Sequence, residues 1–123
     1  MENNITSALH EKLQFVARTF VIGRLFAIPY NQTYYPALIL DEHGYRVYGN
    51  VYVAKDNFSD DDLKILDEYE EYYPQNLAKS EYIRQVIQVN TGEDRVEAVA
   101  YLYNQDIPTN AIEMLDGNFI NPN

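Results

Sequence analysis

The sequence predicts an α+β domain, a small mixed β-barrel with short flanking helices. Three observations lead there. β-Branched and aromatic runs recur along the chain between turn-rich stretches. Two of them, Glu81–Val89 and Arg95–Tyr103, are joined by Asn90-Thr91-Gly92-Glu93-Asp94, which reads as a hairpin turn containing glycine. A single strongly amphipathic helix, Ser59–Tyr72, interrupts the strands. Short strands in this order build a small sheet that closes wholly or partly on itself.

Taken in order, residues 3–16 predict a first helix. Asn3, Asn4 or Thr6 can cap it, and Ile5, Leu9 and Leu13 recur at four-residue spacing. His10 lies within it and reads as a surface residue. Phe15 to Ile28 is a strand broken by Gly23, where a bulge or a close backbone approach is expected. Tyr34 to Leu40 is a second strand, with Pro36 near its start, where a lost donor matters least. Asp41 to Gly44 is a turn, and His43 at its tip is a turn residue rather than a ligand. Tyr45 to Lys55 alternates: Tyr45, Val47, Gly49, Val51 and Val53 share one face, while Tyr48, Tyr52 and Ala54 share the other, so both faces are expected to be covered. Tyr73 to Asn76 ends the central helix and opens a polar loop. In the tail, Ala111–Leu115 predicts a helical turn.

The central helix carries the chemistry. Ser59 is an N-cap with Asp62 three residues on, and Asp60, Asp61 and Asp62 place negative charge where the helix dipole favours it. That acidic run lacks the spaced ligands of a calcium loop and reads as capping. At about 100° per residue, Leu63, Leu66, Tyr69 and Ile65 form the buried stripe. Glu70 falls between Leu63 and Leu66, Asp67 at the margin, and Glu68 and Glu71 point away. A carboxylate inside an apolar stripe loses hydration, so its pKa rises and it can act as a general acid/base. Alternatively, Glu70 lies in a frayed last turn and reaches water.

The chain of 123 residues is long enough for one domain, 1–123. Its net charge of −10 argues against nucleic acid and anionic membrane surfaces, which need a basic face. With no cysteine, thiol nucleophiles, disulfides and zinc–thiolate sites are excluded. There is no signal-peptide pattern and no apolar run of membrane-spanning length, so a cytoplasmic protein is the default. Twelve tyrosines suit half-buried strands and pocket walls.

Several motifs then line up. Gly23-Arg24-Leu25-Phe26 precedes Tyr35-Pro36-Ala37; Val47-Tyr48-Gly49-Asn50-Val51-Tyr52, Leu66-Asp67-Glu68-Tyr69-Glu70, Tyr82-Ile83-Arg84 and Ala98-Val99-Ala100-Tyr101-Leu102-Tyr103 follow. Their order resembles the γ-glutamylcyclotransferase-like family, over residues ~20–103 and more loosely at Asp116-Gly117-Asn118-Phe119. The resemblance implies that Glu70, the last residue of Leu-Asp-x-x-Glu, is the general acid/base. It implies a small-molecule γ-glutamyl substrate whose α-amine attacks its own γ-amide, releasing 5-oxoproline and an amine, with no metal and no cofactor. Tyr82 is a candidate substrate-binding residue, or else half of a cross-strand aromatic pair. Arg84 reads as a surface cross-strand partner of Glu81 or Glu97, or as a ligand for a substrate carboxylate.

One departure stands out. The family opens on a strand ending in Tyr-Gly-(Ser/Thr)-Leu, whose backbone N–H groups hold the substrate carboxylate, and no such motif is present. The expectation is either a start at an internal methionine or a natural short form, in both cases lacking the first strand. An unpaired edge invites pairing with another chain, so a homodimer is expected. Two readings therefore stay open: a γ-glutamylcyclotransferase-like enzyme, and a non-catalytic binding or assembly module of the same fold.

Overall fold

The computed structural model describes residue 9, residues 11–92 and residues 94–119. Within these, β1 (Leu13–Tyr30), β2 (Thr33–Leu40) and β3 (Tyr45–Ala54) precede the helix α1 (Asp60–Tyr69). A short 3-10 turn (Leu77–Lys79) follows, then β4 (Tyr82–Thr91), β5 (Asp94–Tyr103) and the two-residue β6 (Ile112–Glu113). The α+β class is as predicted, and every described pairing is antiparallel.

β1 organises the sheet. Its first part pairs with β3 from Leu13↔Ala54 to Gly23↔Tyr45, and its second part pairs with β2 from Gly23↔Leu40 to Tyr30↔Thr33. Gly23 belongs to both registers. A Cβ there would overlap the Ile39 carbonyl oxygen, so the break in the apolar run marks a close backbone approach. The bulge lies elsewhere, between Phe15 and Ala17. β4 and β5 form the expected hairpin, from Tyr82↔Tyr103 to Thr91↔Asp94, with Gly92 at φ 67° in the turn.

The sheet wraps around its core without closing into a ring. Among the described residues β1 and β4 meet at one register position, Phe20↔Asn90. The main core joins Val21 and Leu25 of β1, Val47 of β3, Ile87 and Val89 of β4 and Leu102 of β5. A second cluster, Phe26, Ile28 and Ala37, lies toward the tail. No described helix is long and apolar enough to cross a membrane.

Three local expectations need correction. Leu13–Val16 is strand rather than helix, because Leu13, Phe15 and their neighbours find cross-strand partners on β3, including an edge-on Phe15–Tyr52 ring contact at 5.9 Å. Of the rest of that expected helix, Leu9 is helical and buried and Glu11 and Lys12 form a turn, while residues 3–8 and His10 lie outside the described residues. Ile112 and Glu113 form a strand rather than a helical turn. Met114 N–H donates to the Leu25 carbonyl at 2.8 Å, and Glu113 receives both Arg24 Nε and Nη2 at 3.0 Å. Finally, β3 is covered on both faces only in part: Tyr52, Val53 and Ala54 are exposed beside an apolar groove. His43 is exposed in an Asp41-capped turn, as expected.

Candidate active site

The helix is clamped at both ends. At its start, the Ser59 hydroxyl accepts from the Asp62 N–H at 3.2 Å, and the Asp62 carboxylate accepts from the Ser59 N–H at 2.8 Å. Asp62 also receives the Lys12 ammonium at 3.0 Å. The capping hydrogen bonds from Ser59, reinforced by Lys12, hold the Asp62 carboxyl below its usual range.

At its end, the helix stops in a Schellman motif. Tyr72 N–H donates to the Asp67 carbonyl at 2.8 Å, and Glu71 N–H to the Glu68 carbonyl at 3.0 Å. Glu71 takes the left-handed position, φ 53°, that usually falls to glycine. Glu70 is therefore the C-cap of a hydrogen-bonded turn, its own N–H on the Leu66 carbonyl at 2.9 Å, and that turn is not frayed.

Asp67 pins this turn to the sheet. Its carboxylate accepts from Arg84 Nη1 on β4 and from the Tyr101 hydroxyl on β5, both at 2.6 Å. The wheel put Asp67 at the margin; in fact it is buried, 8% exposed, while Ile65 of the expected stripe is 39% exposed. Arg84 is correspondingly not a surface cross-strand partner: it reaches across to the helix, where a desolvated carboxylate needs a cation. Neither link has a local signature, since each joins residues far apart in the chain.

Glu70 faces a cavity of about 530 Å³. Tyr30, Tyr35, Pro36, Leu38, Tyr69, Glu71, Glu81, Tyr82 and Tyr101 form the rest of its wall. Burial, and then the charge of Glu81, push the Glu70 carboxyl up to about 7. Glu81 is also raised, chiefly by burial; the Tyr35 hydroxyl hydrogen-bonds it and opposes the shift, while Glu71 adds to it. Burial, aided by Glu70, raises the Tyr82 phenol, which stays a neutral donor. Tyr82 forms its expected cross-strand aromatic pair. It lines the cavity, and its ring meets Tyr103, its cross-strand partner, edge-on at 5.5 Å, while its hydroxyl donates to the Pro36 carbonyl.

Sequence reasoning did not single out Tyr35, Glu71, Glu81 and Tyr101 as wall residues. Only the excess of tyrosine and the Tyr35-Pro36 motif hinted at them. A larger opening of about 840 Å³ runs along β3, β4, β5 and the apolar side of the helix. It is mostly aliphatic, and the acid with the raised pKa lines the smaller cavity. Among the described residues no group of three or more acids or histidines is arranged to hold a metal ion.

The family model described as gamma-glutamyl cyclotransferase, AIG2-like, matches residues 1–120. No curated protein and no solved structure matches the chain significantly.

Proposed function

The chain belongs to the AIG2-like γ-glutamyl cyclotransferase family, and from that premise we propose that it cyclises a γ-glutamyl amine or amino acid to 5-oxoproline with Glu70 as general acid/base. One observation carries the reading: a half-buried carboxyl whose pKa lies near 7 in the wall of a substrate-sized cavity.

A group that titrates near neutrality can take a proton and return it within one cycle. Ionised Glu70 accepts a proton from the substrate's α-ammonium. The freed amine attacks the γ-carbonyl carbon, a carbon–nitrogen bond forms, and the five-membered ring closes. Glu70, now a carboxylic acid, protonates the leaving nitrogen as the original amide bond breaks. The ring nitrogen then sheds its second proton through the regenerated carboxylate to the departing amine, so 5-oxoproline and an alkylammonium leave and Glu70 is again ionised. A curled substrate held by this wall gains the proximity that a ring closure needs.

The test is 5-oxoproline release from a panel of γ-glutamyl amino acids, γ-glutamyl amines and ε-(γ-glutamyl)lysine. Glu70→Gln is expected to reduce kcat by about 10²–10⁴-fold. Full activity in that variant would remove Glu70 from the mechanism. The binding-module reading draws on a different observation: among the described residues no lysine or arginine lines the cavity to hold a substrate carboxylate. Retained ligand binding with no 5-oxoproline from any substrate would favour it.

A further inference from the structure

In this chain 19 acids outnumber nine bases, so an arginine without a carboxylate stands out. Arg24 and Arg84 each hold one. Among the described residues Arg18 and Arg46 form no ion pair. Both are exposed on the face of the sheet turned away from the main core. Register puts them there. Arg18, Phe20 and Ile22 of β1 stand opposite Asn50, Tyr48 and Arg46 of β3, while the alternate residues Thr19, Val21 and Val47 are buried. None of those six outward positions is an acid. The row through Tyr48 and Phe20 continues to Asn90 of β4 and Arg95 of β5. The acid on this side of β5, Glu97, stands opposite Gln88.

The two guanidiniums are held by rings. Arg18 lies over the Tyr48 ring at 5.2 Å from its centroid, and Arg46 over the Phe20 ring at 4.5 Å. The two rings meet at 6.2 Å, so an aromatic pair sits in the middle with a cation at each end. Arg18 Nη2 also donates to Asn118 Oδ1 at 2.7 Å. Stacking occupies the flat face of a guanidinium and leaves its in-plane N–H groups for a carboxylate. It also orders the side chain in advance, which lowers the cost of binding.

We propose that this face docks an acidic peptide, an extended segment of a partner protein with a carboxylate on either side of an apolar side chain. The carboxylates meet Arg18 and Arg46, and the apolar residue covers Phe20 and the exposed Ile22. In an extended segment, residues i, i+2 and i+4 share a face and the outer two stand about 13 Å apart. Arg18 and Arg46 are offset by the same four residues along the strands. Charges more than about 8–10 Å away are screened at physiological salt, so a short segment feels the arginines rather than the net charge of −10. A long polyanion reaches beyond them and is repelled. None of these residues lines the Glu70 cavity, so the inference stands apart from the cyclotransferase reading.

The test is fluorescence anisotropy with a labelled peptide containing Glu-Val-Phe-Val-Glu, its Gln-for-Glu twin and a short oligothymidylate. The acidic peptide is expected to bind at least about tenfold more tightly than its twin, less so at high salt. That ratio is expected to fall by about threefold in Arg18→Gln and in Arg46→Gln, and to approach one in the double variant. Arg46→Lys keeps the charge without the planar donors and is expected to fall between. Lys64→Gln removes the same charge from an exposed position on α1 and is expected to leave the ratio unchanged. Each ratio is taken within one protein, so a general loss of stability cancels. A ratio near one in the unmodified chain overturns the inference. So does a ratio unchanged in the double variant, an equal fall in Lys64→Gln, or tighter binding of the oligothymidylate.

Discussion

At Glu70, which the helical wheel puts inside the apolar stripe, the surroundings decide where the carboxyl titrates. Its folded pKa, about 7, lies above its ordinary value of 4.5, so the folded chain binds this proton more tightly than the unfolded chain. The stability that follows is fully present below about pH 4.5 and is lost as pH rises through 7. Glu70→Gln removes the loss. Urea unfolding at pH 8 is expected to show the variant more stable than the parent, by up to about 3 kcal/mol, with the difference vanishing near pH 4. A variant less stable at both pH values would mean that the carboxyl is favourably paired rather than desolvated. Tyr82→Phe keeps the ring against Tyr103 but strands the Pro36 carbonyl. It is expected to cost about 1–2 kcal/mol in the same assay.

The helix shows how an element is placed by a few polar contacts at its ends. Its cap was legible, because Ser59 and Asp62 satisfy each other within one turn and need nothing from the rest of the fold. Replacing Ser59 with Ala is expected to cost about 1 kcal/mol. The docking of its last turn was not legible. Asp67 meets Arg84 and Tyr101, residues brought in from β4 and β5, and periodicity within the helix carries no trace of them. Asp67→Ala leaves Arg84 without its partner and Tyr101 without its acceptor. A loss of about 2–4 kcal/mol in chemical unfolding is expected. Because this contact holds the turn that presents Glu70, 5-oxoproline release is expected to fall with it under conditions where the variant is still folded. Undiminished release would detach Glu70 from the clamp.

Across the whole molecule, the tail and the open side of the sheet matter most. Gly117 stitches the tail to β3: its carbonyl accepts from the Tyr48 N–H at 2.8 Å, its φ is 76°, and a Cβ would overlap the Arg46 carbonyl oxygen. Gly117→Ala is expected to destabilise by at least about 2 kcal/mol, read as a lowered Tm. The single β1–β4 register position leaves strand edges beside the aliphatic groove without partners among the described residues. Such edges are the physical basis for the expected self-association. Light scattering at micromolar concentration reports it, and a monomer there counts against a homodimer. The sequence by itself determined most of the strands, the β4–β5 hairpin and the capped helix, narrowed Gly23 to a bulge or a close approach, and put Glu70 inside the apolar stripe. Each of these follows from neighbours a few residues apart, where period, caps and turn chemistry act. Only the tertiary structure decided that Leu13–Val16 is strand, that Asp67 is the buried anchor, and that Glu71, Glu81 and five tyrosines share a wall with Glu70. Those depend on pairing and desolvation between segments distant in the chain, and no local pattern encodes how much water a carboxyl loses when they meet.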